Sequence, residues 1–90
     1  MTSQFKRDLK RYKHNVELLD ALETVLKYLA ENGTVPSEYL PHPLIGDYKS
    51  CLECHVLNDL LLIWVDKFKP QIKLLRLGSH SELYGKGKKR

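Results

Sequence analysis

Cysteine, methionine and tryptophan are scarce in this 90-residue chain, which holds two, one and one of them respectively. Two cysteines are too few for a disulfide framework and fit a reducing compartment. No run of about 18 apolar residues occurs, and the N-terminus has no apolar stretch of the signal-peptide kind, so a membrane span is not expected and a cytoplasmic protein is. There is no internal repeat, and no low-complexity segment apart from the closing GKGKKR. A chain of this length buries roughly 60–65% of its unfolded surface and has no room for a second core. One domain over residues 1–85 with a basic tail at 86–90 is predicted, its active site laid on a sheet face or in a groove.

Acidic residues are also the minority, 11 against 15 Lys and Arg, for a net charge of +4. The excess sits at the ends: residues 1–13 and 86–90 each carry +4 and the stretch between carries −4. Two basic patches around a mildly acidic body suit a polyanion such as RNA, although each patch alone also reads as a solvated helix face or a tail.

Along the chain, Thr2 or Ser3 can cap a first helix, because a short side-chain oxygen accepts from the free N–H groups of an opening turn. Phe5, Leu9, Tyr12 and Val16 then recur at spacings of four, three and four and predict one apolar stripe with the basic residues outside it. Asn15 reads as the cap of a second helix with Glu17 near its positive end. Leu18, Leu19, Leu22, Val25, Leu26 and Leu29 give that helix a broad apolar face, and Asn32-Gly33 supplies a left-handed stop.

From Thr34 to Gly46, Pro36, Pro41 and Pro43 predict an ordered loop that carries His42, since each proline lacks a donor and restricts its predecessor. Lys49 to Val56 alternates, Leu60 to Val65 is a continuous apolar run suited to a central strand, and Gln71 to Gly78 reads as a third strand. The fold predicted is α+β, with two N-terminal helices on one face of a small antiparallel sheet.

Cys51, Cys54 and His55 spell CxxCH, the pattern of covalent haem attachment. On a strand, however, Cys51, Glu53 and His55 point to one face and Cys54 to the other, which is wrong for two thioethers on one porphyrin and for a zinc pair. The cysteines therefore read as small, half-buried strand residues.

His42, His55, Asp59 and His80 fall instead at loops and strand ends, where small domains place chemistry. Imidazoles exchange protons near neutral pH, and a desolvated Asp59 can do the same. Arg76, inside an otherwise apolar strand, offers a planar fork of donors to a phosphate. Tyr84 can stack on a base or donate its hydroxyl, and Lys49 adds a positive charge for RNA. Each residue alone has a plain structural reading: turn residue, satisfied strand histidine, turn aspartate, snorkelling edge arginine.

In combination they resemble a known family. His42-Pro43-Leu44-Ile45-Gly46, Cys54-His55-Val56 with Asp59 following, Leu61-Leu62-Ile63-Trp64, and Arg76-Leu77-Gly78-Ser79-His80 ending in Leu83-Tyr84 are similar to the YafQ branch of RelE-type toxins. These are the ribonuclease halves of bacterial toxin–antitoxin pairs. The resemblance extends back to the opening SQFKRDLKR.

It implies a RelE-like fold and a ribosome-dependent endoribonuclease that cuts messenger in the ribosomal A site without metal or other cofactor. In that chemistry the ribose 2′-hydroxyl attacks the adjacent phosphate and leaves a 2′,3′-cyclic phosphate. It implies catalytic roles for His42, His55, Asp59 and His80, phosphate contact by Arg76, an aromatic role for Tyr84, and as partners a cognate antitoxin, the ribosome and its messenger. The family usually opens with a short strand, so here the first strand is expected to be short or missing, with Met1 to Ser3 as its remnant. The competing reading is a non-catalytic or decayed relative that binds RNA, the ribosome or an antitoxin.

Overall fold

A computed structural model describes residues 2–44, 51–65 and 72–84. Helix α1 spans Ser3–Arg11, and Thr2, in extended backbone, caps it by accepting from the Phe5 N–H at 3.0 Å. Helix α2 spans Val16–Asn32, with Asn15 Oδ1 accepting from the Leu18 N–H at 3.0 Å. Gly33 ends it at φ 76°, its N–H donating to the Leu29 carbonyl at 2.9 Å. These caps match the sequence reading, and only a residue without a Cβ adopts the last conformation without strain. Val16 departs from it. The chain turns after Tyr12, so the α1 stripe ends there, and Val16 opens α2 with 67% of its surface exposed.

Four strands follow, β1 (His42–Pro43), β2 (Leu52–Leu57), β3 (Leu60–Val65) and β4 (Lys73–Ser79), paired antiparallel in the order β1-β2-β3-β4. A five-residue helix α3 (His80–Tyr84) closes the described chain. The segment expected as loop thus contains a 3₁₀ turn at Ser37–Tyr39 and the two-residue β1. Pro43 fits β1 because an edge strand can leave one side of its backbone without a partner. The connection between β3 and β4 at 66–71 and the basic tail expected at 86–90 lie outside the described residues.

Register sets the two faces of the sheet. Cys54 lies opposite Leu62 and His55 opposite Leu61, so neighbours along each strand project to opposite sides. Cys54, Val56, Leu62, Trp64 and Leu77 join Phe5, Leu18, Leu22, Val25 and Leu29 in the helix-side core. On the other face Leu61 and Ile63 pack with Leu83 of α3, and Cys51 lies against that cluster. The two sulfurs diverge as the pleat requires. Burial, with the negative charge of Glu53 added, pushes the Cys54 thiol up to about 12.

The outer edge of β4 is covered by α1 and α3 in place of another strand. Thr2 donates through its N–H to Leu74 O and through its hydroxyl to Leu75 O, both at 3.1 Å, so of the expected strand remnant Thr2 lies extended along β4 and Ser3 already belongs to α1, while Met1 lies outside the described residues. Further along, the fully buried Asp8 accepts from the Leu77 N–H at 2.9 Å and from Arg76 Nε at 2.8 Å and Nη2 at 3.3 Å. Burial opposes the Asp8 charge, but the bonds from Arg76, Leu77 and Gln4 outweigh it and hold the carboxyl below its ordinary range. Among the described residues these bonds occupy edge groups of β4 at Leu74, Leu75 and Leu77 that would otherwise be open to another strand. Among the described residues no helix is long and apolar enough to cross a membrane.

Candidate active site

The sheet face opposite α1 and α2 carries the polar cluster, and four elements contribute to it. β1 brings His42, β2 brings Glu53 and His55, the β2–β3 turn brings Asp59, and α3 brings His80 and Tyr84. The turn needs only Asn58 and Asp59 because Asn58 takes a left-handed φ of 49°, which a short amide side chain tolerates. The three imidazoles form a row: ring centroids lie 6.3 Å apart from His42 to His55, 6.0 Å from His55 to His80, and 6.2 Å from His80 to the Tyr84 ring. His42, His55, Asp59, His80 and Tyr84, all singled out in the sequence, are therefore brought together.

Each end of the row is anchored to a carboxylate. At one end His80 Nδ1 is hydrogen-bonded to Asp59 Oδ1, and both groups are open to solvent. That bond, ahead of a small opposing desolvation, holds the Asp59 carboxyl below its ordinary range. At the other end His42 Nδ1 lies 2.8 Å from the Leu40 carbonyl. A carbonyl only accepts, so Nδ1 carries a proton. His42 Nε2 then faces Glu53 Oε1 at 3.0 Å, while Glu53 Oε2 accepts from the Tyr84 hydroxyl at 2.5 Å. The His42–Glu53 contact thus ties one edge of the imidazole to a buried carboxylate. Leu40 itself sits at φ 53° with 58% of its surface exposed, a conformation that costs a leucine about 1 kcal/mol or more and aims its carbonyl at His42.

Glu53, only 3% exposed, is the site residue that the sequence reading passed over. Its signal was there: it alternates onto the same face as His55, and a carboxylate buried on a strand needs partners. Arg76 is placed differently from the histidines. It lies opposite Ile63 in register, and its guanidinium is engaged by Asp8 at the sheet edge. Lys49 lies outside the described residues. Among the described residues no group of three or more His, Cys, Asp or Glu is arranged to hold a metal ion.

Two helices on one side of a four-stranded antiparallel sheet, with an imidazole row on the other, define an α+β domain of the RelE-like kind. Residues 1–85 match the family described as the bacterial toxin of type II toxin–antitoxin systems, YafQ, and the chain belongs to that family. It is 29% identical over 87 residues to the mRNA interferase toxin YafQ of Escherichia coli K12, an alignment covering 93% of this chain and 91% of that one. It superposes on the E. coli DinJ–YafQ complex with a TM-score of 0.81 at 27% identity, covering 93% of both chains. A metal-bound toxin of Helicobacter pylori gives a TM-score of 0.79 at 39% identity, covering 92% of this chain and 93% of that one.

Proposed function

We propose that this toxin is a ribosome-dependent endoribonuclease of the bacterial cytoplasm, cutting messenger in the ribosomal A site by metal-free attack of a ribose 2′-hydroxyl on the adjacent phosphate. A cognate antitoxin neutralises it. The observation that carries the reading is the row His42–His55–His80, with a carboxylate anchoring each end, laid on an open sheet face. The reaction needs a base for the 2′-hydroxyl, an acid for the leaving 5′-oxygen and positive charge for the pentacoordinate phosphorane. Each well-placed acid or base is worth on the order of 100- to 10,000-fold, and a fixed donor to the developing charge contributes similarly.

The geometry supports a division of roles. Asp59 holds His80 by Nδ1, which leaves Nε2 as the atom that exchanges a proton with RNA. His42 and His55 orient the phosphate, His42 from a ring held by Glu53 and by the Leu40 carbonyl, and His55 from between the two other imidazoles. Tyr84, held by Glu53, offers a ring for a base to stack on. Arg76 adds charge from β4 and Lys49 from the segment before β2, while the basic outer residues of α1 (Lys6, Arg7 and Lys10) and Lys13 just beyond it face solvent and suit ribosomal RNA. The family relationship supports messenger RNA as the target and an antitoxin as partner, because the E. coli relative is named an mRNA interferase and has been crystallised with DinJ.

End chemistry tests the mechanism. Fragments cut from ribosome-bound messenger should resist 3′-end ligation until the cyclic phosphate is opened and removed, and should carry free 5′-hydroxyls. Fragments with 5′-phosphates would overturn the 2′-hydroxyl route, and ribosome binding with intact messenger would favour a non-catalytic relative.

A further inference from the structure

His80 and Tyr84 both ride on α3, which is five residues long. A helix this short does not hold its own shape in water, because nucleation is costly and few bonds follow it. Its orientation must come from what grips it. Ser79 and Glu82 form a reciprocal box: the Glu82 N–H donates to Ser79 Oγ at 3.2 Å and the Ser79 N–H donates to Glu82 Oε1 at 2.9 Å. The same Oε1 accepts from the hydroxyl of Tyr12 at the end of α1, and Oε2 lies 3.6 Å from Arg11 Nη1. Gly78 belongs to the same fitting, since a Cβ there would come within 2.8 Å of Glu82 Oε1.

Glu82 therefore joins three elements: the end of β4, the first turn of α3 and the end of α1. His80 and Tyr84 are four residues apart and share one side of α3, with Glu82 between them in sequence and bonded away toward α1. We infer that Glu82, tethered by Tyr12, is a positioning residue that sets His80 against Asp59 and Tyr84 against Glu53 while touching no RNA itself. The inference rests on the catalytic reading of His80 for its consequence, but the placement it describes is measurable without cleavage.

The test compares Glu82→Ala, Glu82→Gln and Tyr12→Phe in the full chain. Three readouts are taken: the His80 imidazole resonances by NMR, single-turnover cutting of ribosome-bound messenger, and the unfolding midpoint. Glutamine keeps an acceptor oxygen for Ser79 and Tyr12, alanine keeps none, and Tyr12→Phe removes only the tether. With a reacting group displaced by about an ångström, cutting by folded Glu82→Ala should fall on the order of 100-fold. Its His80 resonances should shift, glutamine should restore both, and Tyr12→Phe should lie between. Unmoved His80 resonances in folded Glu82→Ala would overturn the inference, as would a rate loss no larger than the unfolded fraction explains. If the wild-type chain cuts nothing, a His80 shift in Glu82→Ala still upholds the positioning role, and the catalytic reading fails alone.

Discussion

Asp8 and Asp59 each hold a nitrogen-bearing side chain, Arg76 and His80, and the two pairs differ in their surroundings. Asp8 and Arg76 have side-chain exposures of 0% and 19%, against 61% and 38% for Asp59 and His80. The buried pair also satisfies a strand N–H, so its charge is fixed by the fold and the fold depends on its charge. The exposed pair closes nothing. Water reaches both members, little stability rides on them, and the imidazole is free to exchange a proton with a ligand. The same residue type thus serves the architecture at the sheet edge and, in the proposed mechanism, the chemistry on the open face.

The comparison can be broken in several places. The largest effect expected is on chemistry at the exposed pair: His80→Ala should lower messenger cutting on the order of 100- to 10,000-fold and leave the thermal midpoint nearly unchanged. Next is stability at the buried pair. Asp8→Ala strands the Arg76 charge and the Leu77 N–H, and chemical denaturation should show a loss of about 3–5 kcal/mol. Acid sharpens the contrast. The folded Asp8 value lies below the ordinary 3.8, so its stabilisation is complete above that pH and is lost as pH falls through the folded value. An acid titration of wild type should lose stability in that window and Asp8→Asn should lose less. Smallest is Asp59→Ala, which should change unfolding free energy by no more than about 0.5 kcal/mol while cutting falls.

Local chemistry was readable before the structure. The caps at Thr2, Asn15 and Gly33, the central strand from Leu60 to Val65 and the divergence of Cys51 from Cys54 all follow from rules that act within a few residues. His42, His55, Asp59, His80 and Tyr84 stood out because polar side chains were set among strand-forming runs. Asp8 was lost among the basic residues of α1, since its partners Arg76 and Leu77 lie 68 and 69 residues away and leave no periodic trace. Helix α3 was missed because five residues carry too little periodicity, although Ser79-x-x-Glu82 is itself a capping signature. Glu53 was passed over because β2 was read for its histidine and cysteines.

The central claim is that the imidazole row on the open face cuts RNA, and the most direct test is primer extension on a defined messenger in a translation reaction. Wild-type protein is compared with His80→Ala protein whose unfolding midpoint is unchanged. The account predicts cuts at A-site codons that require both the ribosome and His80. Equal cutting by the folded His80→Ala protein would contradict it.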